Sequence, residues 1–154
     1  TEHGNYKDYD RLYQATITTA KGNIVLCLQP ELAPKSVNNF VTLARNKFYD
    51  GLTFHRVVPD FVIQGGDPQG TGSGGPGYKF ADEPVRQQYV DGAVAMANSG
   101  PNTNGSQFFV DIADDTAKLQ PLYNLFGKVQ TGLDVAKQIQ KGDVMTTVVV
   151  REQQ

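Results

Sequence analysis

The chain has 154 residues, 39% of them hydrophobic and 19% charged, with a formal net charge of -2, so it can form one domain with a real core, burying roughly 70% of its unfolded surface. A near-neutral balance without a basic run provides no concentrated positive patch, so nucleic acid is not an expected partner. The longest apolar stretches, such as IVLCL at 24–28, fall far short of the ~20 residues that span a bilayer, and no membrane insertion is expected.

Residues 1–11 read as a polar N-terminal extension without a signal sequence, and 12–154 as a single domain. YQATITT (13–19) alternates, Lys21-Gly22 can turn the chain, and NIVLCL (23–28) returns, predicting a β-hairpin. Cys27, the only cysteine, lies in this apolar run and reads as a buried, inert thiol. With no internal disulfide, a cytoplasmic location is slightly favoured over an exported or membrane-tethered form. In APKSVNNFVTLARN (33–46), Val37, Phe40, Val41 and Ala44 follow helical spacing behind Pro34, which predicts an amphipathic helix.

Further strands are expected at FHRVV (54–58), FVIQG (61–65), AVAM (93–96), QFFVDI (107–112), NLFGKV (124–129) and VMTTVVV (144–150), with a second helix at LDVAKQIQK (133–141). The charged run Asp111 to Asp115 reads as a solvated loop. Eight short strands and two helices without a βαβ rhythm make a mainly β protein: a closed, eight-stranded antiparallel β-barrel capped by two α-helices. GGDPQGTGSGGPG (65–77) carries seven glycines, but no Gly-Lys-Ser/Thr follows and no helix begins there. It reads as a structural loop packed on the barrel, not a phosphate cradle.

The familiar catalytic constellations are missing. His3 and His55 have no metal-ligand spacing, Cys27 has no histidine partner, and no serine sits in a G-x-S-x-G elbow. His55 alternates out of phase with Phe54 and Arg56 and reads as a satisfied structural histidine facing away from them. Any catalysis should therefore need no nucleophile, metal or cofactor. The polar residues that stand out are Arg56 and Gln64, set in the otherwise apolar TFHRVVPDFVIQGGD (53–67); burying them without partners would be costly. Rotation about an X-Pro bond is a reaction that suits such a site. It breaks no covalent bond and needs only a pocket for the ring, a grip on the backbone and a donor aimed at the imide nitrogen.

FHRVVPDFVIQGGD (54–67), GTGSGGPG (70–77), MANSGPNTNGSQFFV (96–110) and LFGKV (125–129) resemble, in order and spacing, the signature blocks of the cyclophilins, the peptidyl-prolyl cis-trans isomerases, with likeness running from about residue 12 to the last strand. The resemblance implies an eight-stranded barrel with two helices and isomerase activity without a cofactor. It makes Arg56 the catalytic arginine and Gln64 the residue that orients it, both classed as catalytic. Phe61, Val62, Phe109 and Leu119 become the proline pocket, Ala97 and Asn98 the grip on the substrate backbone, and Gln107 and Tyr123 adjoining binding residues. Val62 stands where methionine is common in the family, and Tyr123 where many members carry histidine. Lys118 lies about where many eukaryotic members carry a tryptophan that hydrogen-bonds cyclosporin, so weakened affinity for cyclosporin-type inhibitors is implied. Proline-containing polypeptides are the expected partners and a monomer the expected state. The alternative is a proline-peptide binding or chaperone module that uses the same groove, with turnover incidental. Phe108, facing opposite to Phe109, is expected in the core.

Overall fold

The computed structural model describes residues 12–153; the polar extension expected at 1–11 lies outside them. Alternation in the first segment has the predicted consequence. In β1 (Leu12–Thr19) and β2 (Gly22–Leu28), Ala15, Ile17, Ile24, Leu26 and Leu28 point inward and are completely buried. The strands pair antiparallel from Tyr13 opposite Leu28 to Thr19 opposite Gly22, so the turn is Ala20-Lys21, one residue earlier than expected. Thr19 holds that turn, its Oγ1 accepting from the Lys21 amide at 3.1 Å and donating to the Gly22 carbonyl at 2.8 Å.

Helix α1 (Pro34–Arg45) starts on its proline and buries Val37, Phe40, Val41 and Ala44, the predicted stripe. Its N-cap residue, Ala33, provides no side-chain acceptor. Glu83 supplies one from a distant loop, accepting from the Lys35 amide at 2.8 Å, the Ser36 amide at 2.9 Å and Ser36 Oγ at 2.7 Å. An anion at a helix N-terminus meets both the orphan amides and the positive end of the helix dipole.

The chain continues through β3 (Arg56–Val58), β4 (Val62–Gly65), β5 (Ala93–Met96), β6 (Phe108–Asp111), β7 (Leu125–Thr131), α2 (Leu133–Ala136) and β8 (Thr147–Gln153). All seven strand pairings are antiparallel, in the order β3-β4-β6-β5-β7-β2-β1-β8. The mainly β reading with eight strands and two helices holds, but the barrel is less closed than expected. The ends β3 and β8 form no ladder with each other. The segments preceding them, 51–54 and 142–145, join through the Thr53–Val144 bridge and backbone bonds such as Gly51 N–H to Met145 O at 2.7 Å. That pairing removes 144–146 from the strand expected at 144–150, and β8 begins at Thr147. The second helix is also shorter than its apolar spacing suggested. After Ala136 the amides of Gln138 and Ile139 reach back only three residues, and the Asp143 carboxylate takes the Gln140 amide at 2.8 Å, turning the chain away.

The two faces of the sheet bury different sets of residues. Ile63, Val94, Met96, Phe108 and Val110 point into the main core with Phe40, Tyr49, Phe54 and Phe126, where the Phe40 ring stacks on Tyr49 at 4.9 Å and meets Phe108 edge-on at 5.3 Å. Their neighbours Val62, Ala95 and Phe109 point outward and form a second apolar cluster with Tyr89, Leu125, Phe61, Ala97, Leu119 and Tyr123. A strand with alternating faces buried on both sides thus builds a core and, behind it, a separate apolar surface.

Candidate active site

Strand register places the polar pair. Arg56 lies directly opposite Gln64 across β3 and β4, Gln64 opposite Phe109 across β4 and β6, and Phe109 opposite Ala95 across β6 and β5. Arg56 is solvent-exposed. One row across the outer face therefore carries a guanidinium, an amide, an aromatic ring and a small residue. Arg56 Nη1 donates to Gln64 Oε1 at 3.4 Å, Gln64 Nε2 to Gln107 Oε1 at 3.0 Å, and Gln107 Nε2 to the carbonyls of Gly72 and Gly74 at 2.9 and 3.0 Å. This relay runs from Arg56 into the glycine-rich loop. The guanidinium also stands over the Phe61 ring, 5.9 Å from its centroid.

The glycine-rich loop is rigidified by Asp67, which the sequence reading did not single out. Its buried carboxylate accepts from the amides of Gln69 at 2.8 Å, Thr71 at 2.9 Å and Gly72 at 2.5 Å. Burial works to raise its pKa, but backbone hydrogen bonds together outweigh that and hold it below the usual carboxylate value. A Cβ at Gly74 would fall 1.9 Å from Asp67 Oδ1, so glycine there is a steric requirement.

A cavity of about 180 Å³ is lined by Arg56, Phe61, Val62, Gln64, Ala97, Asn98, Phe109, Leu119 and Tyr123. It brings together every site residue expected from the sequence except Gln107. That residue lines a neighbouring cavity of about 710 Å³, which shares Gln64, Ala97 and Asn98. The volume of the smaller cavity is of the order needed to hold one small ring. Tyr123 packs edge-on against Phe109 at 5.5 Å. Tyr89, another residue the sequence reading missed, fixes Tyr123 by donating its hydroxyl to the Tyr123 carbonyl at 2.6 Å and accepting the Tyr123 amide at 3.0 Å. Burial pushes the Tyr89 phenol up to about 12. The Asn98 side chain ties the cavity rim together, donating to the Leu122 carbonyl at 2.9 Å and accepting the Gly100 amide at 3.2 Å.

Two expectations near the site are corrected. His55 is not well satisfied: both ring nitrogens are buried without a hydrogen bond of good geometry, and only the Gln107 side chain approaches the ring as a partner. Burial lowers its pKa, with the Asp67 carboxylate acting against that. The Asp111 to Asp115 run is not a solvated loop either. Asp111 ends β6 opposite Val62, and the side chains of Asp111 and Asp115 are fully buried. Burial, reinforced by Asp115, pushes the Asp111 carboxyl up to about 10, so it holds a proton at neutral pH and can donate it to Asp115. Among the described residues, no group of three or more His, Cys, Asp or Glu side chains could hold a metal ion, and no helix is long and apolar enough to cross a membrane.

Residues 14–153 match the family model for the cyclophilin type peptidyl-prolyl cis-trans isomerase. The chain belongs to that family. It is 50% identical over 123 residues to peptidyl-prolyl cis-trans isomerase B of Bacillus subtilis, covering 79% of this chain and 85% of the relative. It is 46% identical over 139 residues to a Helicobacter pylori peptidyl-prolyl cis-trans isomerase, covering 88% and 85%. The crystal structure of a Cryptosporidium parvum cyclophilin type isomerase superposes with a TM-score of 0.84 at 31% identity, covering 93% of this chain and 99% of that one. The same parasite protein was also solved in the presence of the dipeptide Ala-Pro. The activity of this cyclophilin-type chain is peptidyl-prolyl cis-trans isomerisation.

Proposed function

We propose that Arg56 accelerates X-Pro rotation in peptides and folding proteins by donating a hydrogen bond to the imide nitrogen while the proline ring occupies the 180 Å³ cavity. The observation that carries this is the guanidinium at the rim of a cavity of ring size walled by Phe61, Val62, Phe109 and Leu119, steadied by Gln64. Amide resonance sets a barrier of about 18–20 kcal/mol. As the bond twists, resonance is lost and the nitrogen regains its lone pair, so an Arg56 hydrogen bond made there is stronger in the transition state than in either ground state. Bringing tens of seconds down to milliseconds is about 10⁴-fold, or roughly 5–6 kcal/mol. A charged hydrogen bond contributes about 1.5–3 kcal/mol of this, with orientation and desolvation in the pocket supplying the rest. The bond from Arg56 to Gln64, at 3.4 Å, is long for an N–H to oxygen contact, leaving the guanidinium free to turn toward substrate.

Substrate is held on this reading by Phe61, Val62, Phe109, Leu119 and Tyr123 around the ring and by Ala97, Asn98 and Gln107 along the peptide. The Ala-Pro dipeptide used with the Cryptosporidium relative supports a proline-containing ligand class. Weak binding of cyclosporin-type inhibitors is expected, because Lys118 rather than tryptophan stands beside the pocket. NMR exchange on an X-Pro peptide tests the mechanism. Arg56→Ala should slow the catalysed exchange about 10²-fold or more while peptide-induced shifts persist. Unchanged exchange with retained affinity would remove Arg56 from the chemistry and leave a groove in which turnover is incidental.

A further inference from the structure

The cavity has walls on two segments far apart in sequence. Phe61 stands on the connection between β3 and β4, and Leu119 on the turn that follows Asp115. The residues immediately preceding these two walls are bonded to each other: Lys118 Nζ donates to the Asp60 carbonyl at 2.8 Å. The same ammonium lies 3.6 Å from Asp115 Oδ1 and 5.9 Å from the centroid of the Phe61 ring. Asp60 has a left-handed backbone, φ 58°, strained for a residue with a side chain. That conformation is held where its carbonyl accepts the ammonium. On the other side, the Asp115 carbonyl accepts the amides of Lys118 and Leu119 at 2.9 and 3.1 Å, and the Asp115 amide donates to the Tyr89 carbonyl at 2.8 Å. The Leu119 turn is therefore anchored at its start on Tyr89, and its far side is connected to the hairpin through the lysine.

We infer that Lys118 is a positioning residue for the isomerase: by bonding the Asp60 carbonyl it spans the gap between the segments bearing Phe61 and Leu119, and so sets the width of the proline pocket. This rests on the reading of that cavity as the proline site. The ammonium does not touch the imide. Its effect falls on how tightly the ring is gripped and how well a larger ring is refused, because a pocket wall held at fixed separation discriminates by size.

The test compares wild type, Lys118→Met and Lys118→Arg on two peptides that differ only in proline or its six-membered homologue, pipecolic acid, with melting temperature as a folding control. Lys118→Met keeps the aliphatic stem and loses the donor. It should raise KM for the prolyl peptide about three-fold, the size expected for a half-exposed charged contact, with kcat retained, and should narrow the preference for proline over pipecolate. Lys118→Arg, which keeps a cationic donor, should restore both. Wild-type KM should rise with added salt, and the Lys118→Met value should not. If Lys118→Met keeps the wild-type KM and ring preference, the tether has no role in the site and the inference fails. If the wild type binds the peptide elsewhere than the 180 Å³ cavity, shown by shifts that avoid Phe61 and Phe109, the underlying pocket assignment fails instead.

Discussion

Asp111 shows how one side chain can work against the fold that contains it. Its neighbours are Asp115, Asp91 and Asp114, with Tyr89 alongside, and the Lys118 ammonium, 3.6 Å from Asp115 Oδ1, stands beyond hydrogen-bond distance of the pair. As two anions, Asp111 and Asp115 would have no donor between them; a single proton turns the pair into an acid–carboxylate hydrogen bond. The folded chain keeps the Asp111 proton up to about pH 10, whereas the unfolded chain releases it near the ordinary value of 3.8. Between those limits the folded state binds more protons, so the carboxyl pair's contribution to stability is best at low pH and declines as pH rises. Asp111→Asn offers Asp115 a donor that needs no titration. It should be close to neutral at pH 5 and raise the melting temperature by a few degrees at pH 9, and parallel wild-type and variant profiles across that range would show that the pair does not hold the proton.

At the scale of elements, the N-terminus of α1 depends on a residue 47 positions away from Ser36. Glu83, Ser36 and Asn124 form a buried polar knot in which Asn124 Oδ1 also accepts the Glu83 amide at 2.8 Å. Glu83→Ala leaves these neutral donors without an acceptor and should cost about 1–3 kcal/mol in chemical denaturation, mostly through α1; a loss under about 0.5 kcal/mol would mean that water replaces the carboxylate. The helix itself was legible because Pro34 and the Val37, Phe40, Val41, Ala44 spacing are local signals. Its cap was not, because a glutamate before a proline in a long connection looks like any loop residue. The same distinction divides the rest. Alternation and β-rich composition identified the strands, but they could not tell that 142–145 would pair with 51–54 and delay β8. Arg56 and Gln64 stood out as polar residues in an apolar hairpin. The pocket residues came from the likeness of several long sequence blocks, since an outward phenylalanine and a core phenylalanine read alike. Tyr89 and the Asp111–Asp115 pair carry no local signal at all; only the packing of distant segments buries them.

Across the whole molecule, Arg56 sits on the three-residue end strand β3, next to the place where the sheet fails to close. There the circuit is completed by one bridge, Thr53 to Val144, and by backbone bonds among 51–54 and 142–145, compared with seven paired residues between β1 and β2. Met145 plugs this seam from inside. It is completely buried with its Cε against Gly65, where a Cβ would also fall 2.8 Å from the Thr53 carbonyl oxygen, so the backbone approach requires glycine there. An arrangement with few ladder bonds beside a long ladder should open locally before the molecule unfolds. Hydrogen exchange at the amides of Phe54 and Met145 should accordingly report an opening free energy well below that of Ile17 and Leu26, with the latter pair tracking global unfolding. Equal protection at all four sites would mean that the seam and the β1–β2 ladder open only together. In that case Arg56 is carried by a rigid wall, and its turn toward substrate has to come from the side chain alone.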